Sequence, residues 1–293
     1  MENTNPHIVE PFTEEQMAKW QAQVFEFQRI AGPIVNFEMK RQHREPYFKF
    51  VEFINGKLTA KPAGPYLGEK RRSDLSDTIY SSFSSLTIAN YHQDRLCKIE
   101  SELIRAFHDF EIDSFSTIGG GNSNILDAEY QAFILSCRRS LDQLVYGITI
   151  ALKQPANSFK RFAKYLRGMD NQKLAQPILD VYESHRDNFN GWLIEKDDKK
   201  KSIRDQIAHY KSVRAGTLNV TSSGIVVFGI EGPQDLSGQT LTQVSSRLMD
   251  DTRKCFNEIL LTFIEGIIEE IGPKETSPQN AMGAAQLCTI FTE

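Results

Sequence analysis

Arg204 and His209 stand five residues apart in KKKSIRDQIAHYKSV, a stretch whose spacing predicts a helix. A fixed cation near the one side chain type that titrates around neutral pH suffices for metal-free phosphodiester chemistry on RNA. The imidazole can take the proton of a ribose 2′-hydroxyl or return one to the leaving oxygen. The guanidinium fork can hold two oxygens of the pentacoordinate phosphate, where extra negative charge develops. The bland reading of the same residues is a surface helix with an Asp205–His209 pair and a Lys201–Asp205 salt bridge. With six histidines in the chain, a chance match to so short a pattern is no surprise.

Advancing about 100° per residue places Ile207 and Tyr210 within about 40° of Ile203, and this is the expected core face. Lys201, Arg204, Asp205, Ala208, His209 and Ser212 fall on the opposite face, with the small Ala208 near its middle. Asp205 and His209 are four apart, so their side chains are expected to meet. Arg204 and His209 are awkwardly spaced for contact within one helix. A second copy of the helix across a two-fold axis would supply another Arg and His.

The elements that must position this helix follow from periodicity. Thr13-Glu14-Glu15-Gln16 reads as a capping box opening a helix to Ile30, which Gly32-Pro33 stops. The aromatic stretch from Tyr47 to Lys61, with Asn55-Gly56 inside it, carries a β-hairpin signal. Ser76 to about Phe110 reads as a long helix. Gly119-Gly120-Gly121 is the clearest joint, and it lacks the Lys-Ser/Thr of a phosphate loop. Ile125 to Leu152 forms the next long helix, capped by Asn124, with Ile134, Cys137, Leu141, Leu144, Val145 and Ile148 as its apolar stripe. Shorter helices are expected over Asn157–Leu166 and Pro177–Ile194, ahead of the Arg204 helix. TLNVTSSGIVVFGI reads as two short strands around Ser222-Ser223-Gly224. A last helix spans about Leu241 to Ile271, and the tail beyond Gly272 is expected to be loosely ordered.

The expected fold is therefore mainly α: a helical bundle with a small β-hairpin inserted before the last helix. Residues 1–118 form an N-terminal region of unassigned role, 119–272 the main helical domain and 273–293 a tail.

Composition narrows the function classes. The chain has 293 residues, 40% hydrophobic, and a net charge of -4, which argues against a generally basic nucleic-acid coat. Residues 153–214 nevertheless carry 14 Lys and Arg against 8 Asp and Glu, while 1–152 carry 16 against 20 and 215–293 carry 4 against 10. The basic segment holds Arg204 and His209, and local positive charge attracts phosphate even on an acidic protein. The alternative is a solvated lysine-rich face. Cys97, Cys137, Cys255 and Cys288 are scattered, so neither a zinc site nor a disulfide framework is expected. His43, His92, His108 and His185 lack metal spacing. Ser-His-Asp chemistry lacks its GxSxG elbow. Arg138-Arg139 can contact RNA, although one of them is expected to pair with an acid such as Asp142. No membrane span or secretory leader is expected, and a cytoplasmic setting fits.

SIRDQIAHYK resembles the signature of HEPN-domain ribonucleases, and FILSCRRSLDQLVYGI resembles the first long helix of such domains. The resemblance covers roughly Asn124 to Ile271; nothing familiar appears in residues 1–118. It implies an all-helical homodimer in which two motif helices form one composite cleft. It further implies a metal-independent endoribonuclease that leaves a 2′,3′-cyclic phosphate and needs no cofactor. Carried over, Arg204 and His209 are catalytic and Asp205 sets their geometry, with Lys200, Lys201 and Lys211 beside them to bind RNA. Many members are toxins or antiviral effectors, so an antitoxin or regulatory protein is an expected partner. Members controlled by tyrosine modification often carry that tyrosine two positions after the His; here Tyr210 is one position after it and Lys211 holds the second place. A non-catalytic HEPN-like scaffold that binds RNA or protein is the alternative.

Overall fold

In the computed structural model the described residues are 41–59, 67–106, 118–153, 155–196, 200–221, 224–228, 230–233, 236 and 238–272, with a few positions between 13 and 22. The helix expected over Thr13–Ile30 lies largely outside them, as does the tail beyond Gly272. The fold is mainly helical. Its elements are α1 (Arg41–Ile54), α2 (Glu69–Ala106), β1 (Ile118–Asn122), α3 (Asn124–Ala151), α4 (Phe162–Arg167), α5 (Gln172–Arg186), α6 (Ile203–His209), β2 (Thr217–Thr221), β3 (Gly224–Phe228) and α7 (Leu241–Ile271). No helix among the described residues is long and apolar enough to cross a membrane.

The two long helices α2 and α3 run antiparallel against each other. Gly147 of α3 lies against Thr78 and Ile79 of α2, while Glu129 at the other end accepts from Arg95 and pairs with the His92 ring. At Gly147 an added Cβ would come within 3.2 Å of Ile79, so the missing side chain is what lets the helices approach. The stripe from Ile134 to Ile148 is buried, as are Leu248, Phe256, Leu260, Phe263, Ile264 and Ile267 of α7. One continuous buried cluster takes in residues from α1, α2, α3, α5 and α7. Ser123 caps α3 by accepting from the Leu126 N–H at 3.3 Å, one position before the Asn124 expected to do so. Thr240 and Gln243 form a reciprocal capping box on α7.

Two expectations are corrected. The Tyr47–Ile54 stretch is helix, not the first arm of a hairpin. Its aromatics recur at helical spacing: Phe50 and Phe53 are buried, and Tyr47 stacks on Phe83 with ring centroids 4.6 Å apart. Asn55-Gly56 is the end of that helix. Gly56 has φ +68°, its N–H donates to the Phe53 carbonyl and the Lys57 N–H to the Glu52 carbonyl. This is a Schellman cap, which demands the same left-handed glycine as a tight hairpin. Secondly, Gly119–Gly121 is not a joint but the middle of β1, paired antiparallel with β2 through Ile118–Val220 and Gly119–Asn219. β2 in turn pairs with β3, giving a three-stranded sheet in the order β1-β2-β3.

Candidate functional site

α6 is a seven-residue helix, much shorter than its surrounding sequence suggests. Ser202 starts it: the side chain is buried and its Oγ accepts from the Asp205 N–H at 3.1 Å. The next orphan donors go to a neighbouring turn, Ile203 N–H to the Gly191 carbonyl (2.8 Å) and Arg204 N–H to the Trp192 carbonyl (3.0 Å). That turn depends on Gly191, whose φ is +79° and where an added Cβ would lie 2.2 Å from Pro233. It is tied to α3 by Arg138, which is 6% exposed. Arg138 Nε donates to both Asp142 oxygens at 2.9 Å, one Nη to the Leu193 carbonyl and the other to Ser158 Oγ. Asp142 also accepts from the Phe159 N–H at 2.7 Å. Arg138 is thus the member of the Arg138-Arg139 pair that takes Asp142. On the far side of α6, Gln131 of α3 donates to Ser212 Oγ and the Val213 carbonyl, and Asp127 accepts from the Ala215 N–H.

Arg204 is half-buried, and one of its Nη atoms donates to Asp205 Oδ1 at 2.7 Å. Its Nε is buried with no hydrogen-bond partner among the described residues. His209 is exposed; it makes no hydrogen bond with a described residue and meets the Tyr210 ring edge-on at 6.0 Å. The expected Asp205–His209 contact is absent among the described residues, because Asp205 is taken by its neighbour Arg204. The expected Lys201–Asp205 bridge is absent too. Lys201 precedes the Ser202 cap on extended backbone, so the helical four-residue spacing does not apply, and it pairs with Glu195 at 2.8 Å. Tyr210, placed on the core face by its angle, is 67% exposed. The helix ends at His209, where the Tyr210 and Lys211 N–H groups both turn onto the Gln206 carbonyl. Ile203 is buried and Ile207 packs partly against the core.

Two depressions flank α6. One, of about 320 Å³, is lined by Lys196, Lys200, Lys201 and Lys211 beside Gln206 and Glu231. Here the structure brings together the three lysines expected to bind RNA. Lys201 is engaged by Glu195 at 2.8 Å, and Lys211 by Glu231 at 2.9 Å. Glu195 also pairs with Lys160, and the hydrogen bonds from Lys160 and Lys201 hold its carboxyl down at about 2. The other depression, of about 480 Å³, lies between α6 and α3 and contains Arg204 with Arg139, Gln143, Tyr146 and Asn157. His209 lines neither. About 7.5 Å of rise and 140° of rotation separate Arg204 from His209 along an ideal helix, so they do not converge within one chain.

Sequence reasoning missed Gln143, Tyr146 and Asn157. The signal was present for two of them: Leu135, Arg139, Gln143 and Tyr146 recur every three or four residues on α3, on a face away from the apolar stripe. Among the described residues no group of three His, Cys, Asp or Glu side chains is placed to hold a metal ion. No protein-family model matches the chain, and comparison with curated proteins and with solved structures likewise gives no match.

Proposed function

We propose that the chain is a metal-independent endoribonuclease of HEPN type that acts as a homodimer, with His209 as general acid and base and Arg204 on the phosphate. The observation that carries this reading is the state of His209: an exposed imidazole at the outer end of a short, firmly anchored helix, next to an exposed Ala208 and a two-thirds exposed Tyr210. A small residue flanked by an aromatic that solvent does not favour suits approach by another protein surface. Juxtaposing two α6 ends across a two-fold axis brings two imidazoles to one cleft, where one accepts and the other donates a proton. The 2′-oxygen then bonds to phosphorus as its proton passes to one imidazole. The bond from phosphorus to the 5′-oxygen breaks as the other imidazole protonates that oxygen. The products are a 2′,3′-cyclic phosphate and a free 5′-hydroxyl. Asp205, bonded to Arg204, fixes where the guanidinium fork presents its remaining donors.

The test is purified protein with structured and unstructured RNA in EDTA, with His209→Ala and Arg204→Ala alongside. The reading expects cleavage with cyclic-phosphate ends by the wild type and loss of at least about a hundredfold in either variant. Native-rate cleavage by either variant removes that residue from the reaction. A wild type that binds RNA as a dimer without cutting it leaves the scaffold reading, in which an antitoxin or other regulatory protein docks on the same helix end.

A further inference from the structure

We propose that the depression between α6 and α3 binds one nucleotide of single-stranded RNA beside the cut phosphate, with Tyr146 stacking on its base and Arg139 and Arg204 holding its phosphate. This deepens the RNA-cleaving reading and rests on it for the identity of the strand.

Charge complementarity argues for this occupant. Three charged side chains line the depression: Arg139, Arg204 and Asp142. Asp142 is spent, since Arg138 spans both its oxygens and the Phe159 N–H donates to one of them. Arg139 is exposed and makes no ion pair among the described residues. Arg204 lines the depression and gives one of its five N–H donors to Asp205. The balance is positive, and two guanidinium groups offer the paired donors that phosphate oxygens take.

The walls then select a nucleotide over a bare anion. Tyr146 is 42% exposed on α3, and its ring offers a flat face of the kind on which bases stack. Gln143 is held by Ser85, whose hydroxyl donates to its Oε1 at 2.7 Å. That bond leaves the amide N–H groups of Gln143 as donors, with Asn157 as a second amide. Cation, aromatic platform and amides in one cavity match the phosphate, base face and base edge of an unpaired nucleotide.

The experiment measures the affinity of a fluorescein-labelled ten-nucleotide 2′-O-methyl RNA, which cannot be cut, for the full chain and for Arg139→Gln, Tyr146→Ala, Tyr146→Phe and Lys211→Ala. Arg139→Gln and Tyr146→Ala are expected to weaken binding by about tenfold each, and Tyr146→Phe, which keeps the ring, by less than about twofold. Tyr146 and Arg139 are exposed, so unchanged thermal unfolding confirms intact variants. Native affinity in both Arg139→Gln and Tyr146→Ala overturns the proposal, most directly if Lys211→Ala alone weakens binding and so routes the strand through the lysine depression. Cleavage of a natural RNA is scored in parallel. Cutting with unchanged affinity in these variants sinks the subsite and keeps the nuclease, whereas the predicted affinity losses without cutting sink the nuclease and keep the subsite. A wild type that neither binds nor cuts overturns both.

Discussion

The first and last turns of α6 are within one short helix, yet they are held in opposite ways. At the first turn every backbone donor named above has a partner: Ser202, Gly191 and Trp192 take the leading N–H groups, and Arg138 fixes the turn that supplies two of them. At the last turn Ala208, His209 and Tyr210 face outward. The difference teaches that the backbone of α6 is fixed at both margins, by Gly191 and Trp192 ahead of it and by the Gln131 and Asp127 contacts to Ser212, Val213 and Ala215 after it. Only the side chains of its last turn stay open to solvent. Arg204 sits at the boundary, with its backbone in the anchored half and its side chain in the cavity beside it.

Variants at the two ends sharpen or break that contrast. Arg138→Met is expected to have the largest effect, a loss of about 3–5 kcal/mol, because it strands the Asp142 charge as well as freeing the Leu193 carbonyl. Urea unfolding measures it, and a loss under 1 kcal/mol would show that the anchor is weaker than its geometry. Gly191→Ala follows at about 3 kcal/mol, combining a left-handed residue with the Pro233 clash; an unchanged midpoint would mean that the turn shifts freely. Ser202→Ala removes the cap of α6 and should cost about 1 kcal/mol. Amide exchange at Asp205 is expected to speed up while that of α7 does not.

A smaller, pH-dependent effect is expected at Glu195. Its carboxyl is held below the ordinary carboxylate value, so its two lysine contacts stabilise fully above about 4.5, and this contribution fades as pH falls toward about 2. The Tm difference between wild type and Glu195→Gln should therefore be present at pH 6 and shrink steadily through that acid window. A difference that stays constant down to pH 2 would separate Glu195 from acid stability. The smallest stability effect belongs to His209→Ala, within about 0.5 kcal/mol, since the ring is exposed and makes no hydrogen bond with a described residue. That variant should unfold like the wild type while losing the cleavage proposed above. A marked destabilisation would place the ring in the fold and not in a cleft.

The long helices were legible because their signal repeats. Six apolar positions of α3 and six of α7 each name a face, and a one-residue error in a boundary changes none of them. Single-residue signals misled. Asn55-Gly56 marks a positive φ, which a helix cap and a hairpin both need, and only the aromatic spacing before it separates the two. Gly119-Gly120-Gly121 has no side-chain pattern at all, and its strand is defined by partners about a hundred residues away, which local periodicity does not report. At the site, Arg204 and His209 could be nominated but not oriented. Their orientation depends on where α6 stops and on the turn at Gly191-Trp192, whose carbonyls carry no sequence code. The Asp205–His209 pair failed for a related reason: the spacing was right, but a nearer cation was available to the carboxylate.

The pairing of β1 with β2 has a consequence for synthesis. β1 leaves the ribosome ahead of α3, and its partner follows only after about a hundred further residues have been made. Throughout that interval the β1 segment lacks the partner that satisfies its backbone, and an unpaired strand-forming segment is what a chain most readily pairs with a neighbour by mistake. Three consecutive glycines make it a poor template, with no side chains for a stray strand to zip against. The segment that looked like a linker is thereby suited to wait, and the sheet closes beside the α6 region only when that region is complete.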